Sequence, residues 1–552
     1  MPTNRNMTAS EVPSDVERIV IDPITRIEGH LKIETEISNG QVVNAWSSGT
    51  LYRGIETILQ GREPTDAWLF TQRLCGVCTY VHGASSVRCV EDALNLNIPP
   101  NARNIRNLLM GGQYVHDHPV HFYHLHALDW VDVVDALGAN IGATENLART
   151  LSPNALFIDF DDVKARLQSF VDSGQLGPFA GGYWGHPAYI LTPEENLLFA
   201  AHYIVALRQQ VKAANMHAIF GAKNPHLQSL KVGGVTCKHD ITAQRIAEFR
   251  NLLDDMRTFI DTVYLPDVAY LATRYREWAA YGGFGNYMSY GEFPSGNNEP
   301  EDFFFERGVI FDKDIDHVQE VDLNQISEDV RHSWYAGSSL HPSEGETNPN
   351  YTGYNTADEY SWLKAPRYQS EPMEVGPLAR ILVAYGKNNE QIKTVVDEFL
   401  FATGLTVDDL HSTLGRTAAR ALETKVIADE MDGWLDQLVE GAGTRVTVNM
   451  PLQAGGAGLN EAPRGALGHW IAIDNQKIEN YQMVVPSTWN LGPRCSAGKE
   501  GPVEAALVGT PVVDSSMPIE ILRTVHSFDP CMACAVHVID KQADRVYDIK
   551  VT

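Results

Sequence analysis

The sequence predicts a mainly helical α+β protein: a core of long bundled helices, β-hairpins at the periphery and one long irregular excursion. Three observations predict it. Several segments in the middle of the chain carry helical apolar periodicity, both ends carry strand and turn signals, and the stretch from about Tyr281 to Glu371 is rich in Gly, Pro, Asn, Tyr and Ser. At 552 residues, with 44% hydrophobic, 20% charged and 9% aromatic residues, the composition is that of a folded globular body. No fixed-period repeat or low-complexity tract supports a solenoid, so a single integrated body is expected.

Taken in order, the chain begins with a polar segment over residues 1–20. LKIETEI (Leu31 to Ile37) then alternates as a half-buried strand, Asn39-Gly40 supplies a turn, and VVNAWSSG returns as the second arm of a hairpin. Helical patterns run over residues 101–137, 242–264, 377–403 and 406–439. Another starts at Thr192, where an N-cap threonine, a proline at the first helical position and two first-turn acids, Glu194 and Glu195, mark a helix start. The excursion over 281–371 reads as surface loop with short strands. VHVID, the polar KQAD and RVYDIKVT predict a last hairpin at the C-terminus.

Charge narrows the function classes. Forty-three basic against 70 acidic residues give a net charge of −27, a field that repels nucleic acid and anionic membranes, so no nucleic-acid partner is expected. The first 17 residues lack the apolar stretch of a secretory signal, and no run reaches the ~18 apolar residues of a membrane span. The chain is therefore expected neither to insert nor to export itself, and to meet a membrane only through partners.

Seven cysteines are too few to staple a chain of this length, but four form two C-x-x-C pairs, Cys75/Cys78 and Cys531/Cys534. Four thiolates suit zinc, an iron-sulfur cluster or a catalytic transition metal, and spacing alone leaves these open. A compact zinc ribbon keeps its knuckles roughly 15 to 20 residues apart; here they stand at opposite ends of the chain, so the site would join the two ends. Neither pair has the βαβ context of a thioredoxin-like dithiol. Cys89, Cys237 and Cys495 match no ligand pattern and read as unligated.

The residues around the pairs carry more. RLCGVCTYVHG (Arg73 to Gly83), DPCMACAVH (Asp529 to His537) and DPITRIEGH (Asp22 to His30) together resemble the large, catalytic subunit of nickel-iron hydrogenases. The resemblance extends through YRGIE (Tyr52 to Glu56), HDHPVHFYHLHALDW (His116 to Trp130), GYWGHP (Gly182 to Pro187), LHSTLGR (Leu410 to Arg416), EAPRGALGHW (Glu461 to Trp470) and VVPSTWNLGPR (Val484 to Arg494). It implies a nickel held by all four cysteines, Cys75 and Cys531 terminal, with Cys78 and Cys534 bridging to an iron that carries carbon monoxide and two cyanides. Cys531 stands where selenium-bearing relatives depart from cysteine. The implied reaction is reversible heterolytic oxidation of H2 to protons and electrons.

The same resemblance assigns the surroundings. Arg464 lies over the open face of the metals, oriented by Asp117 and Asp529, with Pro463 beside it and Ser487 as a second donor to a cyanide; a planar guanidinium suits such a role. Glu28 is the first proton carrier beyond Cys531, and His82 a hydrogen-bond partner of a bridging sulfur. The histidines of HDHPVHFYHLH are explained mostly by packing and hydrogen bonding. A magnesium ion is implied at Glu56, the carbonyl of Met483 and the imidazole of His537, with waters completing it.

Residues 21–537 form one body by this reading. The extension Val538–Thr552 would be removed after His537 by a maturation endopeptidase once nickel-insertion factors have acted. Electrons require an iron-sulfur small subunit, since no further cysteine cluster is present, and His226 is placed at that interface. The strings look most like periplasmic or membrane-associated uptake enzymes, exported with the small subunit; a cytoplasmic, cofactor-reducing enzyme is the alternative. Two other rivals are a hydrogen sensor, whose relatives generally lack the C-terminal extension, and a structural zinc protein, which would have no use for Glu28, Asp117 and Arg464.

Overall fold

The computed structural model describes residues 16–154, 157–296, 302–354 and 358–535. Helix accounts for 47% and strand for 18%, with the strands in small separate sheets, so the mainly helical α+β expectation holds.

The N-terminal hairpin forms as expected, with Leu31–Ser38 paired antiparallel to Gln41–Gly49. Asn39 and Gly40 take φ of 51° and 73°, the left-handed pair that a tight hairpin turn requires. Two details differ from expectation. A further strand, Val16–Ile21, adds to the outside of the hairpin, so the sheet begins within the polar N-terminal segment 1–20. The strand Leu31–Ser38 is also buried on both faces. Its polar face is roofed, with Glu34 paired to Arg18 at 2.9 Å and Lys32 at 3.2 Å, and the Lys32 ammonium 4.3 Å from the Tyr354 ring centre.

The helices form the core, with boundaries set by caps and prolines. Pro193–Gly221 starts on a full capping box: Glu195 N donates to Thr192 Oγ1 at 3.3 Å and Thr192 N to Glu195 Oε2 at 2.6 Å. The helix expected to reach residue 137 runs only over Pro100–Val120. Pro119 lacks a donor and crowds the preceding turn, and the chain loosens into a π-helical turn, His121–His126, then a 3-10 turn, Ala127–Asp129. Ala243–Phe259 likewise passes through a π turn, Ile260–Tyr264, just before Pro266. The pattern over 377–403 is two helices, Pro377–Gly386 and Glu390–Thr403, broken where Asn388 turns left-handed (φ 62°) and Asn389 caps the second. Ser412 caps Thr413–Asp436 by accepting from Gly415 N at 3.0 Å, later than the pattern suggests.

The excursion over 281–371 is not mainly surface. It carries the antiparallel strands Tyr287–Pro294 and Phe303–Ile310, the first buried along its whole length, and a short pair, Ile326–Asp329 with Ala365–Tyr368. A three-stranded sheet, Gln453–Ala462, Gly465–Asp474 and Lys477–Val484, is a further element that the apolar periodicity does not announce. Its first strand lies flat on the helix Val81–Ala93: a Cβ on Gly458 would fall 2.0 Å from the Ser85 carbonyl oxygen, so only glycine permits the approach. The predicted last hairpin lies outside the described residues.

Candidate metal centre

The thiols of Cys75, Cys78 and Cys531 lie within 4.8 Å of one another and all three residues are buried. The first pair sits in the turn after the 3-10 helix Gln72–Leu74, where the N–H groups of Val77 and Cys78 point at Cys75 Sγ from 3.2 and 3.1 Å, an environment that favours a charged sulfur. Cys531 enters from the other end of the chain, its sulfur 3.3 Å from Cys75 Sγ, a non-bonded distance. Cys534 lies on the short helix Met532–Ala535 that follows; its side chain is outside the described residues, as is all of His537.

What brings Cys531 inward is a short parallel bridge to Glu28. Met532 N donates to the Glu28 carbonyl at 2.6 Å and Glu28 N to the Pro530 carbonyl at 3.4 Å. The contact is close enough that a Cβ on Gly29 (φ 86°) would meet Ala533 N at 2.6 Å. The Glu28 carboxylate accepts Ala533 N–H at 2.9 Å and stands 3.9 Å from Cys531 Sγ through the same Oε2. Burial, then the charge of Cys75, raises its pKa above the ordinary glutamate value, against the Ala533 N–H and the charges of Arg464 and Arg53.

Arg464 closes the other side. Together with Pro463 it forms the two-residue turn between paired Ala462 and Gly465, so its side chain projects from a hairpin tip. Nη1 donates to Asp117 Oδ2 at 3.1 Å, while Nε lies 3.1 Å from Asp529 Oδ2 as an ion pair out of hydrogen-bond alignment. Burial pulls the guanidinium down, but Asp529, Cys531, Asp117 and Cys78 outweigh it and hold the charge firmly. Asp117 is itself fixed through Oδ1, by Gln113 Nε2 at 2.6 Å and His116 Nδ1 at 2.9 Å. A small pocket lies between these groups, lined among others by Cys78, His82, Arg464, Pro486, Ser487 and Cys531. Ser487 Oγ accepts Cys531 N–H at 3.0 Å, which leaves its hydroxyl proton to donate elsewhere. His82 Nδ1 lies 3.2 Å from His469 Nε2, which continues to Tyr481 through His469 Nδ1 at 2.8 Å.

These residues fit a soft transition metal: converging buried thiols, a cation and hydrogen-bond donors facing one pocket, and a carboxylate beside a thiol. Among the described residues one other such cluster exists, His126, Asp129 and His526. Its donors and acceptors are committed within the protein: His526 Nδ1 meets Asp129 Oδ2 at 2.6 Å and its Nε2 the Thr25 carbonyl at 2.9 Å. His118, His121 and His124 likewise face Glu423, the His526 carbonyl and the Tyr203 carbonyl, as packing predicts for this histidine-rich string.

At the magnesium position expected from the sequence, Glu56 is buried, accepts Met483 N–H at 2.9 Å through Oε1 and the Thr347 hydroxyl through Oε2. His226 is partly exposed beside the Cys75 loop, where Leu227 O accepts Gln72 Nε2 at 3.0 Å. Cys89 and Cys237 are buried away from the cluster, Cys89 beside the Gly456 carbonyl and Cys237 with its thiol pushed up to about 12 by burial. Gln113 and Thr347 were not singled out from sequence. Gln113 stands four residues before Asp117 on one helix face, a legible signal; Thr347, on a distant loop, gave none.

The nickel-dependent hydrogenase profile matches residues 53–537, and one described as HoxL-like matches residues 18–46. The chain is 46% identical to the uptake hydrogenase large subunit of Bradyrhizobium diazoefficiens, over 97% of both chains. To the hydrogenase-2 large chain of Escherichia coli it is 43% identical, over 97% of this chain and all of that one. Among solved structures it superposes on the Ni-Fe-Se hydrogenase of D. vulgaris Hildenborough with a TM-score of 0.80 at 34% identity, covering 95% of this chain and 100% of the other.

Proposed function

The chain belongs to the nickel-dependent hydrogenase family as its large, catalytic subunit, and from that premise we propose that Cys75, Cys78, Cys531 and Cys534 together hold one nickel and one iron, the iron carrying carbon monoxide and two cyanides. The observation that carries the proposal is the convergence of thiols from both chain ends beneath a buried, doubly paired Arg464. When bound, the metal pair supplies a site that polarises dihydrogen for heterolytic cleavage.

The protein's own groups do the rest. Asp117 and Asp529 hold the Arg464 guanidinium over the pocket, where its fixed charge stabilises negative charge that develops between it and the thiolates. Pro463 shortens the turn that carries it. Arg464 and the Ser487 hydroxyl, both lining the pocket, would donate to the cyanides of a bound iron, and His82 borders the pocket on the Cys78 side. A proton arriving on Cys531 Sγ passes to Glu28 Oε2; the raised pKa of that carboxyl lets it take and release a proton nearer neutrality than an exposed glutamate would. Glu56, the Met483 carbonyl and His537 would bind magnesium, a set of mainly oxygen ligands that suits this hard cation.

A large subunit implies a small-subunit partner, here one carrying iron-sulfur clusters to take the electrons, with His226 near the contact. The relatives named as uptake hydrogenases support hydrogen oxidation as the direction of turnover; the reading places it in the periplasm, reached by export with that partner, with a cytoplasmic enzyme as the alternative. Among the described residues no helix is long and apolar enough to cross a membrane. Metal analysis of the purified complex tests the reading. Wild-type protein should contain nickel and iron, and Cys75→Ser should lose nickel and hydrogen uptake together. Zinc in place of nickel, or a Cys75→Ser protein with full nickel and normal turnover, would overturn it.

A further inference from the structure

Behind the hairpin tip that carries Arg464 lies a second arginine with no exposure to solvent. Arg380, on the helix Pro377–Gly386, uses all five of its donors. Nε and Nη2 bind Glu423 at 2.9 and 2.7 Å, Nη1 binds Glu461 Oε2 at 2.7 Å, and the remaining two donors reach the carbonyls of Ala462 and Pro463, each at 2.9 Å. Those are the two peptide groups immediately before Arg464. The turn is pressed against the start of the same helix, where a Cβ on Gly465 would fall 2.5 Å from Gly376 N.

Glu423 also packs against the helix that carries Asp117, in close contact with His118 but out of hydrogen-bond alignment. Its Oε1 lies 2.6 Å from His118 Nε2, and His118 follows Asp117, the partner of Arg464 Nη1. The helix Thr413–Asp436 thus places Glu423 under Arg380, while Arg420, one turn earlier on the same face, donates to the Ser527 carbonyl at 3.0 Å, two residues before Asp529. One rigid helix therefore fixes the turn that carries Arg464 and the approach to both of its carboxylate partners.

We propose that Arg380 is a positioning residue for the hydrogenase reaction, with Glu423 as its counter-ion: it sets the height of the Arg464 guanidinium over the thiol cluster by holding the Ala462 and Pro463 carbonyls. The inference rests on the reading of Arg464 as the charge that acts at the metals. Lysine at position 380 keeps one charge but supplies three donors without the planar fork, so it cannot span Glu423 and both carbonyls.

The test is a double-mutant cycle on the assembled two-subunit enzyme, with turnover normalised to nickel content. Arg380→Lys should keep its nickel and lose at least tenfold in kcat, amides of residues 463–466 should exchange faster, and the loss should vanish in the Arg464→Lys background. Losses that multiply, or unchanged turnover in Arg380→Lys, would overturn the inference. If Arg380→Lys fails to retain nickel, Glu423→Gln takes its place under the same criteria; nickel loss in both means that the network serves folding, and the inference fails. Unchanged turnover in Arg464→Lys alone would refute the underlying reading of Arg464, a separate result from additivity in the cycle.

Discussion

Replacing Glu28 by glutamine should separate proton transfer from the metal site. The carboxylate has two contacts of different kinds: it accepts Ala533 N–H at 2.9 Å and faces Cys531 Sγ at 3.9 Å. A glutamine oxygen keeps the first as a neutral hydrogen bond, at a cost of about 1 kcal/mol against the charge-assisted one. The amide escapes the penalty of burying a carboxylate, so the net change in stability should stay within ~1 kcal/mol and nickel should be retained. The second contact loses its titratable group, and removal of a positioned proton carrier typically costs ~10²- to 10⁴-fold. Both H2 oxidation and the exchange of D2 with solvent protons should fall by that factor, read by mass spectrometry on protein of known nickel content. Glu28→Asp, which keeps the carboxyl but withdraws it by about one bond, 1.5 Å, should recover part of the exchange. Exchange within threefold of wild type in a nickel-replete Glu28→Gln enzyme would refute the assignment.

Glu56→Gln should lower magnesium content and leave nickel in place, whereas Met483→Leu should change neither by more than the ordinary noise of elemental analysis, since only the carbonyl of residue 483 is assigned as a ligand. The chain through Thr552 should be an inactive precursor and active protein should end at His537; an intact Thr552 terminus in fully active enzyme, found by mass spectrometry, would refute the processing step. Glu504 has its pKa pushed up to about 7, by burial against the pull of Arg494 and the donors from Ser47, Tyr360 and Gly501. Its contribution to stability is therefore full below about pH 4.5 and is lost as pH rises through about 7, up to ~3 kcal/mol. Thermal melts should show Tm falling from pH 5 to pH 8, with a shallower fall in Glu504→Gln; an identical slope would show that this carboxyl does not titrate as assigned.

The sequence by itself determined the chemistry that is written in short strings. The two C-x-x-C pairs, the glutamate of RIEGH, the arginine of APRG and the acids of HDH and DPC are legible because each is a local pattern of uncommon residues. The N-terminal turn and the capping box at Thr192 are legible for the same reason: Asn39-Gly40 and Thr192 with Glu195 act over two to four residues. Tertiary structure decided what depends on residues far apart. Whether Leu31–Ser38 is half-buried depends on Arg18 and Tyr354 arriving as a roof, and the strand Tyr287–Pro294 is internal because the body closes over it. The breaks at His121 and near Asn388 have local causes, Pro119 and the Asn388-Asn389 pair, but apolar periodicity runs straight through them. The support of Arg464 is the clearest case. Arg380 looks like a single charge in an apolar helical run and Glu423 like one of several charges along another, and only folding brings them under one hairpin tip, where burial with every Arg380 donor satisfied turns them into a fixed anchor.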